Sequence, residues 1–186
     1  DPTAPARAVV QRTVDEVLVI LKEKGLDSEQ RRARIELIAF DVFDFPTMSK
    51  LTLAKNWKRF DEAQRDEFVS EFKAHLSRRY GTRLDRYQQT DVTIVGTQLE
   101  PRNDVTVRSK VVGGQFDGVS MDYRMRETEG RWLVIDVVIE GVSLVANFRS
   151  QFTEVIAQGG PDELLRQLKS KNFDVREGES SAAGSE

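Results

Sequence analysis

The chain has 186 residues, 39% of them hydrophobic and 32% charged, and a formal net charge of −3. That length suits one domain with a real core, and so small a net charge gives no electrostatic preference for nucleic acid or an anionic membrane. With no cysteine and a single histidine, His75, disulfides, thiol nucleophiles, thiolate zinc sites and histidine-rich metal sites drop out together.

The first predicted helix carries Val10, Val14, Val17, Leu18 and Leu21 at helical spacing, with Gly25 as its stop. Asp27 and Gln30 form a capping pair for a second helix bearing Ile35, Ile38, Val42 and Phe43. Pro46 disfavours a helical Phe45, so that helix should end at Asp44-Phe45-Pro46. A short helix then leads from Met48 and Leu51 to Trp57, and Asp61 with Gln64 caps a helix presenting Phe68, Phe72, Leu76 and Tyr80. After Gly81 the period changes to two. Thr90–Leu99, Val105–Val111, Val119–Met125 and Trp132–Ile139 read as four strands with short connections, hence an antiparallel meander. The last of these is apolar on both parities except at Asp136. Ser143 caps a helix that closes at Gly159, and Pro161 opens a final turn with Leu164, Leu165 and Leu168. From Asp174 the composition becomes Glu-, Gly-, Ser- and Ala-rich, which reads as a disordered tail over 174–186. The predicted class is α+β: a single domain over 1–173 with a twisted four-stranded antiparallel sheet and helices packed on one face.

Residues able to do chemistry are few. His75 sits one position off an apolar helix face and reads as a surface or boundary residue; Asp136 is a lone carboxylate in an apolar strand, which burial could turn into a base. Gly113–Gly114 and Gly159–Gly160 fit no phosphate-binding pattern. The pairs Arg31–Arg32 and Arg78–Arg79 lie among acids and read as solvated faces. No Ser-His-Asp set can be built, no metal site is expected, and the reading is not an enzyme. No apolar run approaches the ~20 residues of a membrane span, so the chain reads as soluble. The ten phenylalanines fall mostly on predicted helices, with Met48, Met121 and Met125 as adaptable neighbours.

The stretch DVVIEGVSLVANFRSQFTEVI, Asp136–Ile156, resembles the signature of the MlaC family, the toluene-tolerance auxiliary proteins. The likeness lies in Glu140–Leu144 followed by Asn147, Phe148 and Arg149. The upstream order FDFPTMSKLTLAKNW, then DEAQRDEFVSEFKAHLSRRYG, then GRWLVIDV agrees, so the resemblance covers roughly Val9–Phe173. Ala54 departs from the pattern, since the family often has glycine there.

The resemblance implies a periplasmic phospholipid carrier of Gram-negative bacteria, with a deep apolar pocket between sheet and helices. Its partners would be an inner-membrane ABC transporter complex with an MCE-domain subunit and an outer-membrane lipoprotein–porin complex; the role would be outer-membrane lipid asymmetry. No cofactor is implied beyond phospholipid as cargo. The expected helical walls are Val42, Phe45, Met48, Leu51, Trp57, Phe72 and Leu76. The expected sheet walls are Val107, Val119, Met121, Tyr123, Met125, Trp132, Val134 and Val138. Val142, Val145, Phe148 and Phe152 would complete the pocket, with Arg149 near the headgroup. The rival readings are a periplasmic chaperone for apolar peptide segments and a small isomerase-like enzyme using Asp136.

Overall fold

The computed structural model describes residues 1–170; the predicted tail over 174–186 lies outside the described residues. Helices α1 (Ala4–Lys22), α2 (Ser28–Val42), α3 (Phe45–Leu53) and α4 (Glu62–Gly81) precede the sheet. Strands β1 (Asp91–Leu99), β2 (Val105–Val112), β3 (Ser120–Thr128), β4 (Arg131–Ile139) and β5 (Val142–Ser143) follow, and α5 (Leu144–Lys169) closes the described chain. The strands pair antiparallel in sequence order, β1 to β5. The α+β architecture is therefore as expected, with a short fifth strand added.

Local chemistry accounts for the boundaries. Asp27/Gln30 and Asp61/Gln64 form reciprocal capping boxes at α2 and α4, and Ser143 accepts from the Ala146 N–H at the start of α5. Glu129–Gly130 and Glu140–Gly141 all have positive φ, the requirement of a two-residue hairpin whose twist matches its strands. The second of these turns joins β4 to β5, so an apolar strand can fold back and run straight into α5. Within α5 the backbone breaks at Gly160 (φ 73°), ahead of Pro161. Contrary to the reading of Pro46, Phe45 is the first residue of α3, because Asp44 caps it by accepting from the Thr47 N–H and hydroxyl. Val119 precedes β3 rather than belonging to it.

Two irregularities place side chains. A bulge between Ile94 and Gly96 interrupts β1–β2 pairing. In β4, Asp136 pairs with Arg124 but Val134 pairs with Met125, leaving Ile135 as an extra residue. The parity of β4 therefore switches midway. Trp132, Val134, Val137 and Ile139 join one face, while Ile135, Asp136 and Val138 join the other. This is why β4 is apolar on both parities. The chain at Phe43–Asp44 also docks on β4, the Asp44 N–H donating to the Val134 carbonyl at 2.9 Å.

Ala54 caps α3 with φ 50° and ψ −125°, a region that penalises any side chain. This explains the glycine common at that place in the resembling family. Ala54→Gly should stabilise the fold by about 1 kcal/mol, raising Tm by roughly 3 °C for a domain of this size. Thermal unfolding of the two proteins side by side checks it.

Candidate functional site

The core is divided. Phe45, Met48, Phe60, Phe68, Phe72, Phe148 and Phe152 form a sealed cluster between α3, α4 and α5, with Phe72 edge-on to Phe148 and Phe152 at centroid separations of 5.2 and 5.8 Å. A second cluster joins Ala6 and Val10 of α1 to Val105, Val107, Met125, Val134 and Val137 of the sheet. A third pins the far end of α1, through Ile20 and Leu21, to Ile35 of α2. A domain of this size ordinarily has one contiguous core.

The apolar stripe of α1 runs from the second cluster to the third. Both ends are buried, at Ala6 and Val10 and at Ile20 and Leu21, but Val14, Val17 and Leu18 between them are only half-buried. Tyr123, Trp132 and Ile139 are half-buried at the edge of the second cluster, as are Leu84 and Tyr87 at the third and Leu76 and Leu144 at the first. Burial pushes the phenol of Tyr123 above its ordinary value, and Tyr87 adds to this, so the two rings sense each other across the cluster borders. Burial likewise raises Tyr87. These half-buried residues mark the borders along which the three clusters fail to merge. The borders beneath the middle of α1 are apolar apart from the two phenols and Ser109, which hydrogen-bonds Tyr123.

The expected lining residues fall into three places. Val42, Val107, Met125 and Val134 are buried under α1, with Tyr123 and Trp132 at the border of that cluster. Phe45, Met48, Phe72, Phe148 and Phe152 fill the space between the helices with one another's rings and chains, with Trp57 and Leu76 half-buried beside them. Val119, Met121 and Val142 are half-buried elsewhere. Leu51, Val138, Val145 and Arg149 line a cavity of about 630 Å³ on the opposite face of the sheet. Val14, Val17, Leu18, Leu84, Tyr87 and Ile139, half-buried at the cluster borders, were not among the expected lining residues. For α1 the helical stripe was visible, but nothing in its spacing separates a sealed stripe from an uncovered one.

The cavity on the opposite face is not oily. Its floor is Leu51, Ile135, Val138 and Val145; its walls carry Arg102, Arg108, Arg124, Arg126 and Arg149 with Glu100, Asp104, Asp122 and Asp136. Asp104 is 1% exposed and accepts from Nε and Nη2 of Arg126, each at 2.8 Å, which raises the Arg126 pKa. Burial pushes the carboxyl of Asp122 up.

Asp136 has a structural task. Its carboxylate accepts from the Val137 N–H at 2.8 Å, the Ser143 hydroxyl at 2.5 Å and the Val145 N–H at 3.0 Å. Burial pushes its pKa up, and these three donors with nearby Arg124 pull it back. A base for catalysis needs a lone pair turned to substrate; this carboxylate is turned to the β5–α5 corner. His75 proves buried rather than superficial, at 6% exposure against the Phe148 ring, and its pKa falls to about 4 through burial, with Arg78 and Arg79 adding. Arg31, read as solvated, is also buried, donating to Asp85 and to the Leu26 carbonyl. Among the described residues no cluster of three or more His, Cys, Asp or Glu side chains is placed to hold a metal, and no helix is long and apolar enough to cross a membrane.

The profile of the family described as MlaC protein matches residues 11–170. The chain belongs to the MlaC family. Within reach of the MlaC match, toluene tolerance protein ttg2D of Pseudomonas putida is 26% identical over 162 residues, covering 83% of this chain and 74% of that protein. A solved structure of the phospholipid-binding protein from Ralstonia solanacearum, in complex with a phospholipid, superposes with a TM-score of 0.79 at 26% identity. It covers 90% of this chain and 96% of that one. The MlaC match thus runs from within α1 through the end of α5.

Proposed function

We propose that this MlaC-family chain is a periplasmic phospholipid carrier, with acyl chains held in a crevice between the middle of α1 and the sheet. The observation that carries the reading is the α1 stripe, sealed at both ends and uncovered at Val14, Val17 and Leu18 opposite Tyr123. The phospholipid-bound structural relative supports it. Each methylene withdrawn from water contributes about 0.8 kcal/mol, so one tail gains on the order of 10 kcal/mol. A bilayer returns nearly the same gain, so transfer between membrane and carrier is close to balanced while escape into water is slow. The expected lining Val42, Val107, Tyr123, Met125, Trp132 and Val134 belongs to this side of the sheet. Where tails need more room, the thioethers of Met121 and Met125 can rearrange at little energetic expense. Nothing in this scheme requires a reacting group, a metal or a cofactor. Exchange partners would be the inner-membrane MCE-domain transporter and the outer-membrane lipoprotein–porin complex, in service of outer-membrane lipid asymmetry.

Filling the crevice tests the site without adding a buried charge. Val17→Trp with Val14→Phe should reduce co-purified phospholipid at least tenfold, by organic extraction and mass spectrometry, while Tm holds or rises. Filling an existing space adds packing rather than strain. Lipid content equal to the parent would place the tails elsewhere, and phospholipid absent from the parent itself would sink the carrier reading.

A further inference from the structure

The face of the sheet turned away from Tyr123 is a lattice of charges. Strand register sets Arg108, Asp122 and Val138 side by side in one row and Thr106, Arg124 and Asp136 in the next. Three of the four carboxylates here are spent within the protein, and the fourth, Asp122, lies beside Arg108 in the register with its pKa pushed up by burial. Asp104 is closed by Arg126, Glu100 accepts the Thr106 hydroxyl at 2.9 Å, and Asp136 takes its three donors. Three arginines are not closed in this way. Among the described residues Arg124 comes no nearer to a carboxylate than 3.8 Å, from Asp104, which is beyond hydrogen-bond range. Arg149 uses its Nε on the Leu51 carbonyl at 2.9 Å, which fixes the guanidinium at the cavity wall. Arg102 stands at the β1–β2 corner with φ 64°, a conformation that non-glycine residues hold only under constraint and that concentrates at functional positions.

These three come from a corner loop, a strand and a helix, so they approach the cavity from different directions. A planar carboxylate suits one arginine fork; a tetrahedral phosphate offers oxygens to several. We propose that this cavity is a phosphate-binding site, in which Arg102, Arg124 and Arg149 hold the oxyanion above the apolar floor of Leu51, Ile135 and Val138. The phosphate is a free phosphate or the headgroup of a phospholipid whose tails lie on this same face of the sheet. The headgroup alternative alone rests on the carrier reading.

The test is an NMR titration of the arginine Nε–H signals at fixed ionic strength, with inorganic phosphate and, separately, dihexanoylphosphatidylglycerol. Saturable shifts at Arg124 and Arg149 are expected from at least one probe. Affinity should fall about tenfold or more in Arg102→Gln/Arg124→Gln, since hydrogen bonds to charged groups are worth ~1.5–3 kcal/mol. Arg149 is left in place because it ties down α3. Saturation by inorganic phosphate supports a free-anion site. Saturation only by the short-chain lipid, with Ile135 and Val138 shifting too, supports a headgroup site. Shifts that never saturate, or an unchanged affinity in the double variant, overturn the proposal. Extraction of the same preparations separates the two ideas: phosphate binding in a protein that yields no phospholipid leaves this site standing and removes the carrier, while a double variant that keeps its phospholipid but binds phosphate unchanged does the reverse.

Discussion

Asp136→Ala should lower the unfolding free energy by about 3 kcal/mol, because it leaves buried donors without an acceptor at roughly 1–3 kcal/mol each. The loss is less than the full sum, since a desolvated charge disappears at the same time. Val137 and Val145 N–H groups and the Ser143 hydroxyl all converge on this carboxylate, and Ser143 in turn caps α5. One side chain therefore fixes where β4 ends, where β5 folds back and where α5 begins. For a domain of this size the change corresponds to a fall in Tm of roughly 10 °C. Asp136→Asn keeps an acceptor but turns an amide N–H₂ towards a donor, so it should fall between parent and alanine. Urea unfolding of the three proteins gives the order directly. An alanine variant as stable as the parent would show that the corner is held by something else.

Acid should weaken the fold through His75. Its pKa drops from 6.5 to about 4 on folding, so the folded state binds fewer protons than the unfolded chain between those values. Stability is then full above pH 6.5, declines as pH falls, and has lost the whole contribution below about 4. A drop of that size corresponds to about 3 kcal/mol at roughly 1.4 kcal/mol per pH unit. Asp136 acts in the opposite sense: its folded pKa is raised, so its contribution diminishes as pH climbs from 3.8 through the folded value. The His75→Leu variant isolates the histidine. Its stability plotted against pH from 4 to 7 should be flatter than the parent's, and parallel curves would mean that His75 protonates in place.

The parts of the fold legible in the sequence are those governed by short-range chemistry. Asp27/Gln30, Asp61/Gln64 and Ser143 announced helix starts because a cap needs only residues three apart. Alternation of Met121, Tyr123 and Met125 announced β3, and the Glu140–Gly141 corner was visible in the signature stretch. The bulge at Ile135 was not legible, since an extra residue shows itself only against its partner strand. The site was harder for the same reason. Phe72, Phe148 and Phe152 carry the same periodic signal whether they face a ligand or one another, and here they face one another. Arg102, Arg124 and Arg149 lie far apart in sequence and meet only through the corner, the register and the cap. Oiliness could be read from composition, whereas incomplete cover is a property of how three clusters fail to merge.

The bulge in β1 has a consequence for crowding. β1 is the outermost strand of the sheet and carries exposed Val95 and Leu99, so its open side invites a second copy to add on. An unbroken row of amides there would let neighbouring molecules zip together end over end. The step between Ile94 and Gly96 spoils the spacing halfway along, and a lysine–aspartate pair, Lys22 with Asp91, plants charge at the beginning. Stacking into fibres would have to stop after a few residues, which keeps crowded copies of the protein dispersed.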